Sequence, residues 1–150
     1  MTTILHLDAS VRALNNTRSH HNSISRTLAD NFRQQWQQSM SKTKFIYRDL
    51  AASPPDFIDE SWIAAVFTPE EQRNMAQNSL LSLSDELIEE VVKADIILLS
   101  TPMYNYGMPA ALKAWFDQVI RVNKTFTFDL ERGDFPLKST LTGKTMVLIS

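Results

Sequence analysis

Ser23–Ile24–Ser25 puts two hydroxyls beside the backbone N–H groups of a predicted helix start. The first turn of a helix has unpaired donors and the positive end of the dipole, so this grouping suits an anion, most naturally a phosphate. Ser10, at the end of an upstream apolar run, can add a third hydroxyl. Plain helix capping is the competing reading, because serine is a preferred N-cap. The second chemically rich segment is STPMYNYGMPAALKAWFDQVI, residues 100–120. Pro102 orients the chain as it leaves an apolar run, and Pro109 suits the first turn of a helix. Gly107, one of only three glycines, offers a backbone shape closed to other residues. Between the prolines, Met103, Tyr104 and Tyr106 offer soft or flat apolar surface, and Asn105 offers a donor and an acceptor. Such a surface suits a planar heterocycle with hydrogen-bonding edges; a core plug or an interface is the alternative.

Both segments need strands to carry them. TILHLDAS is a short apolar run ending in small and polar residues. SISRTLADNFRQQWQQ spaces Ile24, Leu28, Phe32 and Trp36 four apart, a helical stripe. KFIYRDL, 44–50, mixes aromatic, β-branched and charged residues, as an edge strand does. The stretch 51–67 is irregular and proline-bearing, with a short helix predicted over 59–66. Thr68, Pro69 and Glu71 read as a further helix start. Leu83, Leu87, Ile88, Val91 and Val92 keep helical period up to Ala94. DIILLS, 95–100, is continuously apolar, as expected of a strand covered on both faces. Leu112, Trp115, Phe116, Val119 and Ile120 mark another helix. NKTFTFDLERGDFPLKSTLTGK reads as a loop or hairpin punctuated by Gly133 and Gly143. TMVLIS is a last strand, apolar enough to require cover on both faces. The alternation predicts one α/β domain with a doubly wound parallel sheet, whose ligands bind beyond the carboxyl ends of the strands. Both chemical segments fall there.

Composition narrows the function. The chain has 150 residues, 43% hydrophobic and 21% charged, which suits a single domain over 1–150. A net charge of −2 with scattered Lys and Arg gives no footprint for nucleic acid. With no cysteine, disulfides, thiolate nucleophiles and zinc–thiolate sites are excluded. No basic leader precedes TILHL, and no apolar run approaches the ~20 residues of a membrane span, so a cytoplasmic protein without membrane association is expected. Neither a P-loop nor a G-x-G-x-x-G fingerprint is present. His6 lies in a strand pattern and reads as structural. His20 and His21 are adjacent on a loop, with no carboxylate spaced to complete a site, so no metal is expected.

PMYNYGMPAALKAWFDQVIRV resembles the P-M-Y-N-F segment and following helix of the FMN-dependent NADH-azoreductases, flavodoxin-like quinone and azo reductases. SISRTL resembles that family's S-x-S-x-x-L phosphate segment, and RDLAASP its strand-to-loop segment. FTPEEQ with SDELIEEVVKADIILLS, then TFTF and TGKTMVLIS, resemble later segments, so the likeness covers essentially the whole chain. It implies a flavodoxin-like sheet with strand order 2-1-3-4. A third flavin-contacting loop and a fifth strand belong after Ser150 in the family pattern, so the chain is expected to be a C-terminally incomplete domain. The resemblance further implies FMN as cofactor and NADH or NADPH as co-substrate. It implies a quinone or azo compound as acceptor, ping-pong hydride transfer, and a homodimer. Position by position, the phosphate side falls on Ser10, Ser23, Ile24 and Ser25. The ring side falls on Met103, Tyr104, Asn105 and Tyr106, with Pro102 among the cofactor-binding residues. No catalytic side chain is implied, because the flavin supplies the redox chemistry. The segment between Ser10 and Ser23, with Arg12, Arg18, His20 and His21, is longer than the family's; it can cover the phosphate or loop into solvent, and solvent is expected for such polar residues. Two other classes fit the residues less well. A flavodoxin-like electron carrier is usually strongly acidic, unlike this chain. A hydrolase of the acyl carrier protein phosphodiesterase type needs a metal cluster or an activated nucleophile.

Overall fold

The computed structural model describes all residues, Met1–Ser150. The strand β1 (Thr2–Asp8) is central, flanked in parallel by β2 (Thr43–Asp49) and β3 (Ile96–Ser100). Helix α1 (Ile24–Ser39) joins β1 to β2. Helices α2 (Glu60–Phe67) and α3 (Met75–Lys93) lead to β3, and α4 (Ala110–Val119) follows it. A small antiparallel hairpin, β4 (Phe126–Phe128) and β5 (Leu137–Ser139), precedes β6 (Thr145–Ile149), which pairs in parallel with β3. The main sheet therefore runs β2-β1-β3-β6, the predicted 2-1-3-4 order of its strands.

Alternation of side chains along β1 and β3 divides the core between two faces. Leu5, Leu7, Ile97 and Leu99 meet Leu87, Ile88 and Val91 of α3 and Leu112, Trp115 and Val119 of α4. Ile4 and Leu98 point the other way, to Ala29, Phe32 and Trp36 of α1. Each fully buried leucine contributes roughly 1.5–3 kcal/mol, enough to hold the strand ends, and the loops after them, in a fixed register.

Two local expectations need correction. The four-residue stripe on α1 is not its buried face: Ile24 is 78% exposed and Leu28 46%. Residues four apart drift by about 40° per step on a helix, so only the later part of that stripe meets the sheet. The buried face instead starts at Ser25, Arg26 and Ala29. Thr68 ends α2 rather than opening a helix. Its hydroxyl donates to the Ala64 carbonyl at 2.8 Å, and the Arg73 Nε donates to the Ala65 and Thr68 carbonyls. The unpaired carbonyls at the end of α2 thus claim Thr68, and Pro69 opens only a single 3-10 turn, Glu70–Gln72, rather than the long helix. The long helix α3 begins at Met75, behind a reciprocal capping box of Asn74 and Gln77, and its Val92 faces solvent. The apolar strand β6 meets α1 through one face. Val147 and Ile149 pack toward α1's cluster, whereas Met146 and Leu148 are 52% and 61% exposed.

Candidate functional site

Beyond Asp8 the chain continues the sheet pairing for one residue, the Ala9 N–H reaching the Ser100 carbonyl at 2.9 Å, and then leaves at Ser10. Ser23 is the N-cap of α1, its Oγ accepting from the Arg26 N–H at 3.3 Å. Capping and anion binding do not compete here. The Ser23 and Ser25 hydroxyls lie 3.2 Å apart, and Ser10, Ser23 and Ser25 are all buried. Of the first N–H groups of α1, those of Arg26 and Thr27 are taken by Ser23, which leaves Ile24 and Ser25 as free donors.

A cavity of about 520 Å³ opens between this helix start and the loop after β3. Ser10, Ser23, Ile24, Ser25, Pro102, Met103 and Tyr104 line it, so the two predicted segments meet. Asn105 and Tyr106 are not among its walls; both are exposed at the tip of the turn beside it. That turn is a two-residue hairpin in which Tyr104 and Gly107 exchange two backbone hydrogen bonds of 2.9 Å. Its central residues carry positive φ, 49° at Asn105 and 61° at Tyr106, as a type I′ turn requires. The special conformation expected of Gly107 therefore falls on the two residues before it. Gly107 has no positive φ, and a Cβ there would meet only the Tyr104 carbonyl at an ordinary 3.8 Å. Glycine closes the turn but is not what makes it.

The long loop is only partly in solvent. Arg18, His20 and His21 are exposed as expected, but Arg12 and Asn22 line the cavity. The Asn16 N–H donates to Asn22 Oδ1 at 2.7 Å, and the Ser23 N–H to the Ala13 carbonyl at 3.0 Å, which folds the loop back onto the start of α1. Arg12 makes no ion pair, while its own N–H donates to Ser10 Oγ at 3.2 Å. Sequence reasoning named Arg12 but favoured solvent for it, and missed Asn22, since an isolated polar residue in a loop carries no periodicity to place it.

Beneath the serines sits a second polar group that local patterns did not reveal. Arg26, 7% exposed, forks onto Asp49 with two bonds of 2.7 Å and reaches Asp8 at 3.3 Å. Tyr47 donates to Asp8 at 2.8 Å, and His6 Nε2 lies 3.1 Å from the other oxygen of that carboxylate. Burial opposes charge on Asp8, but the hydrogen bond and charge of His6, with the Tyr47 hydroxyl, outweigh it and hold the carboxyl below its usual range. Asp49 is likewise held low, burial being overcome by Arg26 and by the Ala51 and Ala52 N–H groups. Burial and the neighbouring carboxylates push the Tyr47 hydroxyl well above its usual range, so it stays a proton donor. His6 is thus part of the frame, and no three His, Asp or Glu side chains converge as metal ligands.

A parallel sheet in 2-1-3-4 order, with a polar cavity at the carboxyl ends of its first and third strands, defines a protein of the flavodoxin class. A family model described as flavodoxin-like fold matches residues 2–150. The FMN-dependent NADH:quinone oxidoreductase 2 of Colwellia psychrerythraea is 60% identical over 150 residues, which are 100% of this chain and 68% of that protein. The protein of the same name from Idiomarina loihiensis is 55% identical, again over all of this chain and 62% of its own length. A crystal structure of an azoreductase from Bacillus anthracis superimposes with a TM-score of 0.81 at 19% identity, covering 99% of this chain and 67% of that one, and shows the shared fold. The chain belongs to the flavodoxin-like family of FMN-dependent NADH:quinone oxidoreductases. It spans about two thirds of the length of these relatives.

Proposed function

We propose that this chain carries the FMN site of an NAD(P)H oxidoreductase that reduces quinones and azo compounds. The observation that supports this most is the meeting of the S-x-S and P-M-Y-N segments on one cavity at the switch point of the sheet. The residues suit the cofactor. Three buried hydroxyls and the free N–H groups of Ile24 and Ser25 match a phosphate, and Arg12, which makes no ion pair, lines the same cavity. Met103 and Tyr104 offer the apolar surface a flavin ring needs, and Asn105 and Tyr106 stand at the rim. Bound FMN supplies two-electron chemistry between a nicotinamide and the acceptor.

The protein's part is to bind and orient. The Tyr104 hydroxyl accepts from the Val11 N–H at 3.1 Å, which leaves its own proton free to donate toward the cavity. With one cavity beside the P-M-Y-N turn, donor and acceptor must use it in turn, a ping-pong order. A second subunit over the exposed Tyr106 and Met108 would close the rim, consistent with a homodimer. No helix is long and apolar enough to cross a membrane. A cytoplasmic location fits a nicotinamide co-substrate. The test is an absorption spectrum of the purified chain after incubation with FMN, followed by NADH–quinone turnover. Flavin uptake that is unchanged when Ser23 and Ser25 are both replaced by alanine would overturn the assignment.

A further inference from the structure

The Arg26 guanidinium spends its donors on three elements at once. Nε and Nη2 donate to the Ser10 carbonyl at 3.2 and 2.6 Å, and Nη1 and Nη2 fork onto Asp49 at the end of β2. Nη1 also reaches Asp8 at the end of β1. With its charge committed to two carboxylates, Arg26 is not available as an anion ligand, although it lies one residue beyond Ser25. Its effect on the site runs through the Ser10 carbonyl.

A trans peptide is planar, with its C=O and N–H pointing in opposite directions. Drawing the Ser10 carbonyl onto Arg26 therefore turns the Val11 N–H away from the guanidinium. That N–H donates to Tyr104 Oη at 3.1 Å. One peptide plane thus links the Asp49–Arg26 pair, under the serines, to the first tyrosine of the P-M-Y-N turn. The adjoining Ser10 hydroxyl is fixed by the Arg12 N–H at 3.2 Å.

We infer that Arg26 is a positioning residue that sets the Ser10–Val11 peptide and so registers the serine half of the site against the Tyr104 half. A planar five-donor fork is required. Lysine keeps the charge but cannot hold the Ser10 carbonyl and both Asp49 oxygens together. The inference rests on the proposed FMN site for its ligand, but not for its geometry.

The test is a double-mutant cycle of Arg26→Lys and Tyr104→Phe, read by FMN affinity and by hydrogen exchange of the Val11 amide. Residues that do not touch normally act additively, whereas members of one network do not. Each single change is expected to weaken FMN about tenfold. The double variant should be no weaker than Arg26→Lys alone, and Val11 should lose exchange protection in both single variants. Additive losses, or an unchanged Val11 amide in Arg26→Lys, overturn the inference. If Arg26→Lys does not fold, Asp49→Asn loosens the same fork and must show the same loss at Val11. A Val11 amide as unprotected in the wild-type chain as in Tyr104→Phe also overturns it. An FMN affinity that none of these variants changes overturns the cofactor reading instead, and the exchange data still decide the role of Arg26.

Discussion

Tyr106→Gly should stabilise this protein, and the turn geometry sets the size of the effect. Tyr106 holds φ at 61° and is 98% exposed, so its ring contributes no packing against the chain. A left-handed conformation costs a residue with a Cβ about 1–2 kcal/mol, and glycine adopts it without that cost. Against this stands the larger freedom of glycine in the unfolded chain, worth about 0.4–1 kcal/mol. The difference leaves a net gain of roughly 0.5–1 kcal/mol, and at this chain length each kcal/mol is worth about 2–4 °C. Thermal unfolding followed by circular dichroism should therefore show a rise of about 2 °C in Tm. Tyr106→Ala removes the same ring but keeps the strain, and should leave Tm where it was. Gly107→Ala is the sharper control: the new Cβ finds ordinary space at a φ outside the left-handed region, so the change should stay within about 0.5 kcal/mol. A Tm that falls in Tyr106→Gly, or a Gly107→Ala variant several degrees less stable, would refute the assignment of strain. FMN affinity measured on the same proteins separates the two roles of Tyr106. A more stable Tyr106→Gly that binds FMN less well would show that strain is retained for the ring's contact with ligand.

Replacing Ser23 and Ser25 together by alanine should weaken FMN by roughly 1.5–3 kcal/mol for each charge-assisted hydrogen bond removed, and an unchanged affinity in a flavin-quenching titration would remove the phosphate from this end of α1. Arg12→Ala should weaken FMN less than the serine pair does, and should flatten the dependence of affinity on salt, because an exposed cation acts through screened charge; identical salt slopes count against it. Asp8 and Asp49 both have lowered folded-state pKa values, so their contribution to stability is complete above about pH 4 and is lost as pH falls through the folded values. Denaturant midpoints between pH 5 and pH 2 should fall less steeply in Asp49→Asn than in the wild-type chain, and parallel curves would contradict this.

Periodicity and composition determined the frame. The continuous apolar run 96–100 is a strand covered by helices, and the charge-interrupted run at 43–49 is the edge strand β2. The S-x-S and P-M-Y-N segments follow β1 and β3, and in a parallel sheet the ends of neighbouring strands lie side by side, so their meeting was legible in the chain. Tertiary structure alone decided what each helix and turn does with its polar residues. The partners of Arg26 lie 16 to 23 residues away, on β1, on β2 and in the loop at Ser10, and no local spacing encodes a hydrogen bond across that distance. The same holds for the buried face of α1, which rotates toward Ser25, Arg26 and Ala29 because the sheet and the cluster of Asp8 and Asp49 lie there. It holds for the turn after β3 as well, where the closing bonds between Tyr104 and Gly107 drive Asn105 and Tyr106 into the left-handed region. Side-chain type sets which conformations are cheap, but a ring of hydrogen bonds that closes only in the folded chain sets which one is adopted.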